Sequence, residues 1–317
     1  MKPLIRIGTR GSQLALYQAE LVKGKILENF PLIEAELVII KTSGDMVRKM
    51  SPHPFDTKRM FTREIEEALL KGEIDLAAHS AKDLAAELPE GLELGAVLER
   101  EDPRDCLVSK DHLKVSELPL GARIGTSSLR RKMQLLRFYP ELIVEDIRGN
   151  VDTRIKKIDE GFYDAVVLAH AGIKRLGLGH YVAEIFDAER FYPAPGQGVI
   201  AVQSRSKDGE MKEILHVLNH PETFKILKCE RAFLKTLEGG CQLPCGISTI
   251  LDNDHIQLRG GLFAIEEHAW VEAFYETSSE NPEQAGQSLA QKILETGGQG
   301  ILEQIRHSSE KSKNSTQ

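Results

Sequence analysis

The chain has 317 residues, a formal net charge of −7, 41% hydrophobic and 28% charged residues, and four cysteines. That length implies two or three domains, with cores large enough to need no disulfide or metal staple. The acidic balance argues against a general nucleic-acid binder, which would present a basic face, and no stretch is apolar over the roughly 20 residues a membrane helix needs. The first ten residues, M-K-P-L-I-R-I-G-T-R, lack the apolar core of a secretory signal, so the expected compartment is the cytoplasm and the expected thiols are reduced.

In chain order, residues 4–7 read as a strand that runs through G-T-R-G-S into a helix over 12–28. Residues 37–41 form the next strand. The long mixed segment 42–60 follows, and a loop of this length is read either as a mobile lid in which Asp45, Lys58 and Arg59 bring charge to a site or as a flexible solvated loop. A helix over 62–71 and a strand over 74–78 lead into H-S-A-K-D at 79–83. A second series begins after R-E-D-P-R-D at 100–105, with strands at 106–108, 123–124, 142–147 and 165–169 and helices at 129–138 and near 151–160. Alternating strands and helices predict mainly parallel sheets with helices on both faces. Ligands in such sheets bind at the carboxyl ends of the strands.

R-I-G-T occurs twice, at 6–9 and 123–126, which predicts two similar domains facing each other across a cleft. P-A-P-G-Q-G at 193–198 reads as a crossover, after which 199–203 returns as a strand to the first domain. From about residue 219 the pattern changes to a helix over 222–237, the turn G-G-C-Q-L-P-C-G, strands within 247–276 and a helix near 282–296. This predicts a small α+β third domain over 219–306, beside a first domain of 1–98 with 199–216 and a second of 104–192. Residues 307–317 are polar and read as a disordered tail.

The chemistry concentrates where apolar runs meet Gly, Ser and Thr before a helix. Backbone N–H groups and a helix's positive end point there at one spot, which favours an anion. Arg10, Arg130, Arg131, Arg148 and Arg154 cluster at these junctions and carry planar forks suited to carboxylates or phosphates. In H-S-A-K-D, Asp83 can hold a proton or stabilise a developing cation and Lys82 can bind an anion, while His79 reads as a structural histidine. Cys241, between two glycines and a proline, reads as an accessible thiol able to carry a covalent group, whereas Cys106 and Cys229 read as packing residues. Cys241 and Cys245 are spaced C-x3-C with no second pair, and His216 and His220 lack the Glu of a zinc motif, so no metal is expected.

G-T-R-G-S, H-S-A-K-D, E-R-E-D-P-R-D, G-T-S-S-L-R-R, R-G-N-V, A-G-I-K-R-L-G, P-G-Q-G and E-G-G-C-Q-L-P occur in this order over residues 4–305. The set resembles the porphobilinogen deaminases, also called hydroxymethylbilane synthases. The resemblance implies an α/β fold of two doubly wound domains like those of periplasmic binding proteins, plus a small α+β domain carrying the cofactor cysteine. It implies a transferase that joins four porphobilinogen molecules head to tail with loss of ammonia and releases hydroxymethylbilane by hydrolysis. The implied cofactor is a dipyrromethane bound to Cys241 through a thioether, and the implied protein is a monomer.

By the same resemblance, Asp83 is the catalytic carboxylate. Lys82, Thr126, Ser127, Ser128, Arg130, Arg131, Arg148 and Gly149 hold the cofactor, and Arg10, Ser12, Gln18, Arg148, Arg154 and Gln197 hold substrate. The lid departs from the family's G-G-K-G-L-F: Lys58 matches the lysine, but Asp56, Thr57 and Arg59 replace glycines. Two other readings fit the residues: a non-catalytic anion-binding protein of the periplasmic-binding type, and a slow family member with altered lid chemistry.

Overall fold

A computed structural model describes residues 2–46, 60–237, 243–264 and 269–314. The chain divides into two compact units, one of residues 1–101 with 196–227 and the other of 102–195 with 228–317. The chain passes between them at 101–102, again inside 193–198, the segment read as a crossover, and a third time within a helix.

The first unit opens with β1 (Leu4–Thr9) and α1 (Gln13–Asn29). Ser12 caps α1, its hydroxyl accepting from the Ala15 N–H, and the helix buries Gln18, Ala19, Val22 and Ile26. This spacing places one face on the sheet. Then come β2 (Glu34–Ile39), the short α2 (Ser43–Met46), α3 (Arg63–Lys71), β3 (Leu76–Ser80) and β4 (Leu92–Val97).

The second unit holds β5 (Asp105–Ser109), β6 (Arg123–Gly125), α4 (Leu129–Phe138), β7 (Ile143–Glu145), α5 (Val151–Asp159), β8 (Ala165–Ala169), α6 (His170–Arg175) and β9 (Val182–Ile185). The chain returns to the first unit for β10 (Ile200–Arg205) and α7 (Lys212–Leu218), and α8 (Pro221–Thr236) leads back. The hairpins β11 (Cys245–Asp252), β12 (His255–Phe263) and β13 (Trp270–Ser278) form a three-stranded antiparallel sheet that falls in the second unit. Two helices, α9 (Pro282–Ile293) and α10 (Gln299–Asn314), end the described chain.

The two five-stranded sheets have one topology. The first runs β2-β1-β3-β10-β4 and the second β7-β6-β8-β5-β9. In each, the R-I-G-T strand is second and parallel to both neighbours, and the fourth strand is antiparallel to those beside it. The four-residue repeat therefore marks a repeated sheet. The sheets are mixed rather than mainly parallel, because β10 and β5 enter from the crossover segments and run opposite to β3 and β8.

The expectation of a disordered tail from residue 307 is corrected by α10, which continues to Asn314. Lys and Glu sustain a helix once earlier turns have formed it, and Ile301, Leu302 and Ile305 bury the first turns. The segment G-Q-G depends on Gly198, whose φ is +87°, where a Cβ would lie 2.2 Å from the Glu101 carbonyl oxygen. That close approach carries the hydrogen bond from Glu101 N to Gly198 O.

Candidate active site

In the first unit, β1 and β3 are adjacent and parallel, so their carboxyl ends share one edge of the sheet. G-T-R-G-S and H-S-A-K-D therefore meet. A cleft of about 70 Å3 lies there, lined by Arg10, Ser12, Leu14, Ala15, Gln18, Phe61, Thr62, Ala78, His79, Ser80 and Asp83. Four residues singled out in the sequence (Arg10, Ser12, Gln18 and Asp83) come together on its wall. Asp83 closes a short 3-10 turn, Ala81–Asp83, directly after β3. The Arg10 guanidinium lies over the Phe61 ring, 4.2 Å from its centroid. Gln18 is buried and exchanges hydrogen bonds with the Ser80 hydroxyl at 2.9 and 3.2 Å. Lys82 Nζ donates to the buried Gln197 Oε1 at 3.3 Å, and neither residue lines the cleft.

In the second unit, β6 and β7 are likewise parallel, which brings G-T-S-S and R-G-N-V to one edge. The Ser127 hydroxyl donates to Ile147 O at 2.7 Å and accepts from Ile147 N at 3.1 Å, tying the two turns together. Thr126 is buried, its hydroxyl accepts from Ser128 N, and Ser128 caps α4. Gly149 has φ +118°, where a Cβ would press on Thr153. Its carbonyl accepts from Arg154 Nε at 2.8 Å, while Arg148 is exposed.

Arg130 and Arg131 are not on an open face. They are 5% and 7% exposed and converge on Asp105, which is fully buried. Arg130 Nη1 reaches Asp105 Oδ2 at 2.6 Å, and Arg131 reaches Oδ1 from Nη2 at 2.7 Å and from Nε at 3.0 Å. Arg130 also donates to Tyr192 O, and Arg131 to Val167 O. Burial by itself raises the Asp105 pKa, but the two guanidiniums outweigh it and hold the carboxyl well below the usual carboxylate range. Burial is the main influence on Arg154, bringing it down to about 10, with the like charge of Arg131 adding to it. One carboxylate thus lies between two guanidiniums, with the Arg154 cation close enough to Arg131 to feel its charge.

Asp105 is the residue that sequence reading missed. Its signal was an acid placed directly before the apolar run C-L-V, where a charge enters a buried strand. Thr62, His79 and Phe61 were also not expected at the cleft. Cys106 and Cys229 are fully buried, as packing residues should be, and burial pushes the Cys106 thiol up to about 12. Cys241, Lys58 and Arg59 lie outside the described residues, as does the side chain of Asp45. Among the described residues, no three His, Cys, Asp or Glu side chains gather into a metal site, and no helix is long and apolar enough to cross a membrane.

Comparison with known proteins gives the family. Residues 5–213 match the family described as "Porphobilinogen deaminase, dipyromethane cofactor binding domain", and residues 224–295 match "Porphobilinogen deaminase, C-terminal domain". The porphobilinogen deaminase of Pelobacter propionicus is 44% identical over 301 residues, covering 95% of this chain and 97% of that protein. That of Chloroherpeton thalassium is 43% identical over 310 residues, covering 96% and 99%. Among solved structures, the methionine-binding protein MetQ aligns with a TM-score of 0.44 and 15% identity, over 72% of this chain and 95% of that one. With matches spanning both parts of the sequence, the chain belongs to the porphobilinogen deaminase family.

Proposed function

We propose that the chain carries out the family's reaction with Asp83 as the catalytic carboxylate and Cys241 as the covalent anchor of the cofactor. The observation that carries this reading is the cleft at the carboxyl ends of β1 and β3, where Asp83 shares a wall with Arg10, Ser12 and Gln18. Porphobilinogen bears an acetate and a propionate, so a guanidinium and hydroxyl beside the carboxylate orient the ring by its arms. Breaking the aminomethyl C–N bond releases ammonia and leaves a cationic ring. Asp83, fixed at the end of β3, faces that charge as a carboxylate and takes part in moving the pyrrole proton.

The residues of the second unit fit a dipyrromethane. Its carboxylates match an edge where Arg130, Arg131 and Arg154 outnumber Asp105, and where burial and like charge both disfavour the Arg154 cation until an anion arrives. When bound, the dipyrromethane supplies the ring carbon to which each new unit joins. Ser128 and Thr126 set the turn, Arg131 and Arg154 offer N–H groups to carboxylates, and Arg148 is exposed for the same role. Lys82 and Gln197 brace the turn that bears Asp83 rather than lining the cleft. We place the protein in the cytoplasm as a monomer. Cys106 and Cys229 are buried thiols with no disulfide among the described residues, which agrees with a reducing compartment.

Incubation of the purified chain with porphobilinogen tests the reading. The expected result is release of ammonia together with hydroxymethylbilane, four ammonia for each product. Reversible binding of porphobilinogen without ammonia would instead mark a binding protein.

A further inference from the structure

Two side chains of the cleft wall carry polar atoms that the residues discussed so far leave unsatisfied. Thr62 is 1% exposed and its Oγ1 has no hydrogen-bond partner among the described residues. It sits at the N-cap position of α3, where a threonine hydroxyl ordinarily accepts from the first turn, yet it makes no capping bond. His79 is 5% exposed and its Nε2 is likewise without a partner among the described residues. Both residues line the cleft that holds Asp83 and Arg10.

Buried polar atoms in native proteins are satisfied in nearly all cases, and each exception asks for a missing partner. The Thr62 backbone, at φ −126° and ψ −23°, lies outside the extended region from which a cap residue accepts, so the hydroxyl is turned away from the first turn. The two residues line one small cleft whose other polar groups are a guanidinium, two hydroxyls, an amide and a carboxylate.

On the reading that this cleft takes porphobilinogen, we infer that Thr62 and His79 are further substrate-binding residues. Their unsatisfied polar atoms are completed by a carboxylate arm of the pyrrole, which Arg10 neutralises. The Thr62 hydroxyl donates to a carboxylate oxygen. His79 contributes a neutral N–H: burial above all, with the Arg10 charge adding to it and Gln203 opposing, holds its pKa down to about 4. A neutral donor suits this position, because a second cation would compete with Arg10 for the same carboxylate.

Gln203 offers the competing arrangement. It lies on β10, two residues along from Ala201, which pairs with His79, so its side chain shares a face with the imidazole. Its Nε2 donates to Glu66 Oε1 at 3.4 Å, and its Oε1 is also unpaired among the described residues. Gln203 already lies close enough to act on the imidazole, although neither His79 Nε2 nor Gln203 Oε1 completes a well-formed hydrogen bond; were the two to close on each other, the ring would serve the sheet and not the ligand.

The test compares wild-type holoenzyme with Thr62→Val and His79→Leu, each close in shape to the residue it replaces. Two quantities are read: KM for porphobilinogen, and the rise in Tm that porphobilinogen produces. For Thr62→Val, KM is expected to rise about 10- to 150-fold, the range of one lost hydrogen bond to a charged group. The porphobilinogen-induced rise in Tm shrinks, and Tm without ligand stays level or increases, since an unsatisfied buried hydroxyl has been removed. His79→Leu follows the same pattern. An unchanged KM in either variant overturns the assignment of that residue, as does a loss of ligand-free Tm with no change in KM. A wild-type chain that shows neither turnover nor a porphobilinogen-induced shift strikes at the proposed function itself, so the two failures are distinguishable.

Discussion

Replacing Asp105 with alanine is expected to destabilise the protein by about 3–5 kcal/mol, a large share of the roughly 5–15 kcal/mol that holds a domain folded. The carboxylate is fully buried, and the guanidiniums of Arg130 and Arg131 that converge on it are 5% and 7% exposed. Alanine removes the only negative charge of the trio and leaves two like charges side by side without water. The same arginines fix the Tyr192 carbonyl and the neighbouring β8 backbone at Val167, so the loss spreads into the second unit's sheet. Denaturant unfolding measures it, and a change within about 1 kcal/mol of wild type would contradict the account.

The pH dependence has a definite sign. The folded pKa of Asp105 lies below its unfolded value near 3.8. Its contribution is therefore complete above that value and is lost as pH falls through the folded pKa. Asp105→Ala is expected to lose stability at neutral pH and to show a shallower further loss below about pH 3.8 than wild type does.

Replacing Asp83 with asparagine is expected to lower kcat by about 10²- to 10⁴-fold, the range ascribed to a positioned acid–base group. Asparagine keeps the shape and removes the charge that faces the cationic ring. Asp83 is only partly buried, on a short turn after β3, so Tm should stay within a few degrees of wild type. Asp83→Glu, which keeps the charge on a longer arm, should recover part of the loss. Steady-state assays on cofactor-loaded protein decide it. A kcat within tenfold of wild type for Asp83→Asn would remove Asp83 from its assigned role.

Much of this architecture is legible in the sequence because short apolar runs are bounded by strong turn and cap residues. The helix over 129–138 and the strand over 165–169 have the same bounds in the structure. R-I-G-T marked the repeat because both copies are the same strand in the same sheet position, with the same need for a tight turn into a capped helix. The strands Leu92–Val97 and Val182–Ile185 escaped notice: each ends its sheet, and β9 is only half-buried throughout, so no apolar run or clean alternation announces them. The antiparallel entry of β10 and β5 is a property of the crossovers, which local periodicity does not encode.

The candidate site divides in the same way. Asp83, Arg10 and Ser12 were legible because strand ends in parallel sheets gather at one edge. The clustering of Arg130 and Arg131 was legible as charge, but their common partner was not: Asp105 lies 25 residues before Arg130 and meets it only through the antiparallel pairing of β5 with β8. Thr62 carried a helix-start signal, and only the structure shows that its hydroxyl forgoes the cap.

The most direct test of the central claim is the intact mass of the purified, denatured protein beside a Cys241→Ser variant. The account expects the native sequence to exceed its calculated mass by one dipyrromethane, either as purified or after incubation with porphobilinogen, and the variant to show no excess. A native chain that stays at its calculated mass after that incubation would contradict a covalent cofactor on Cys241, and so would a variant that gains the same mass.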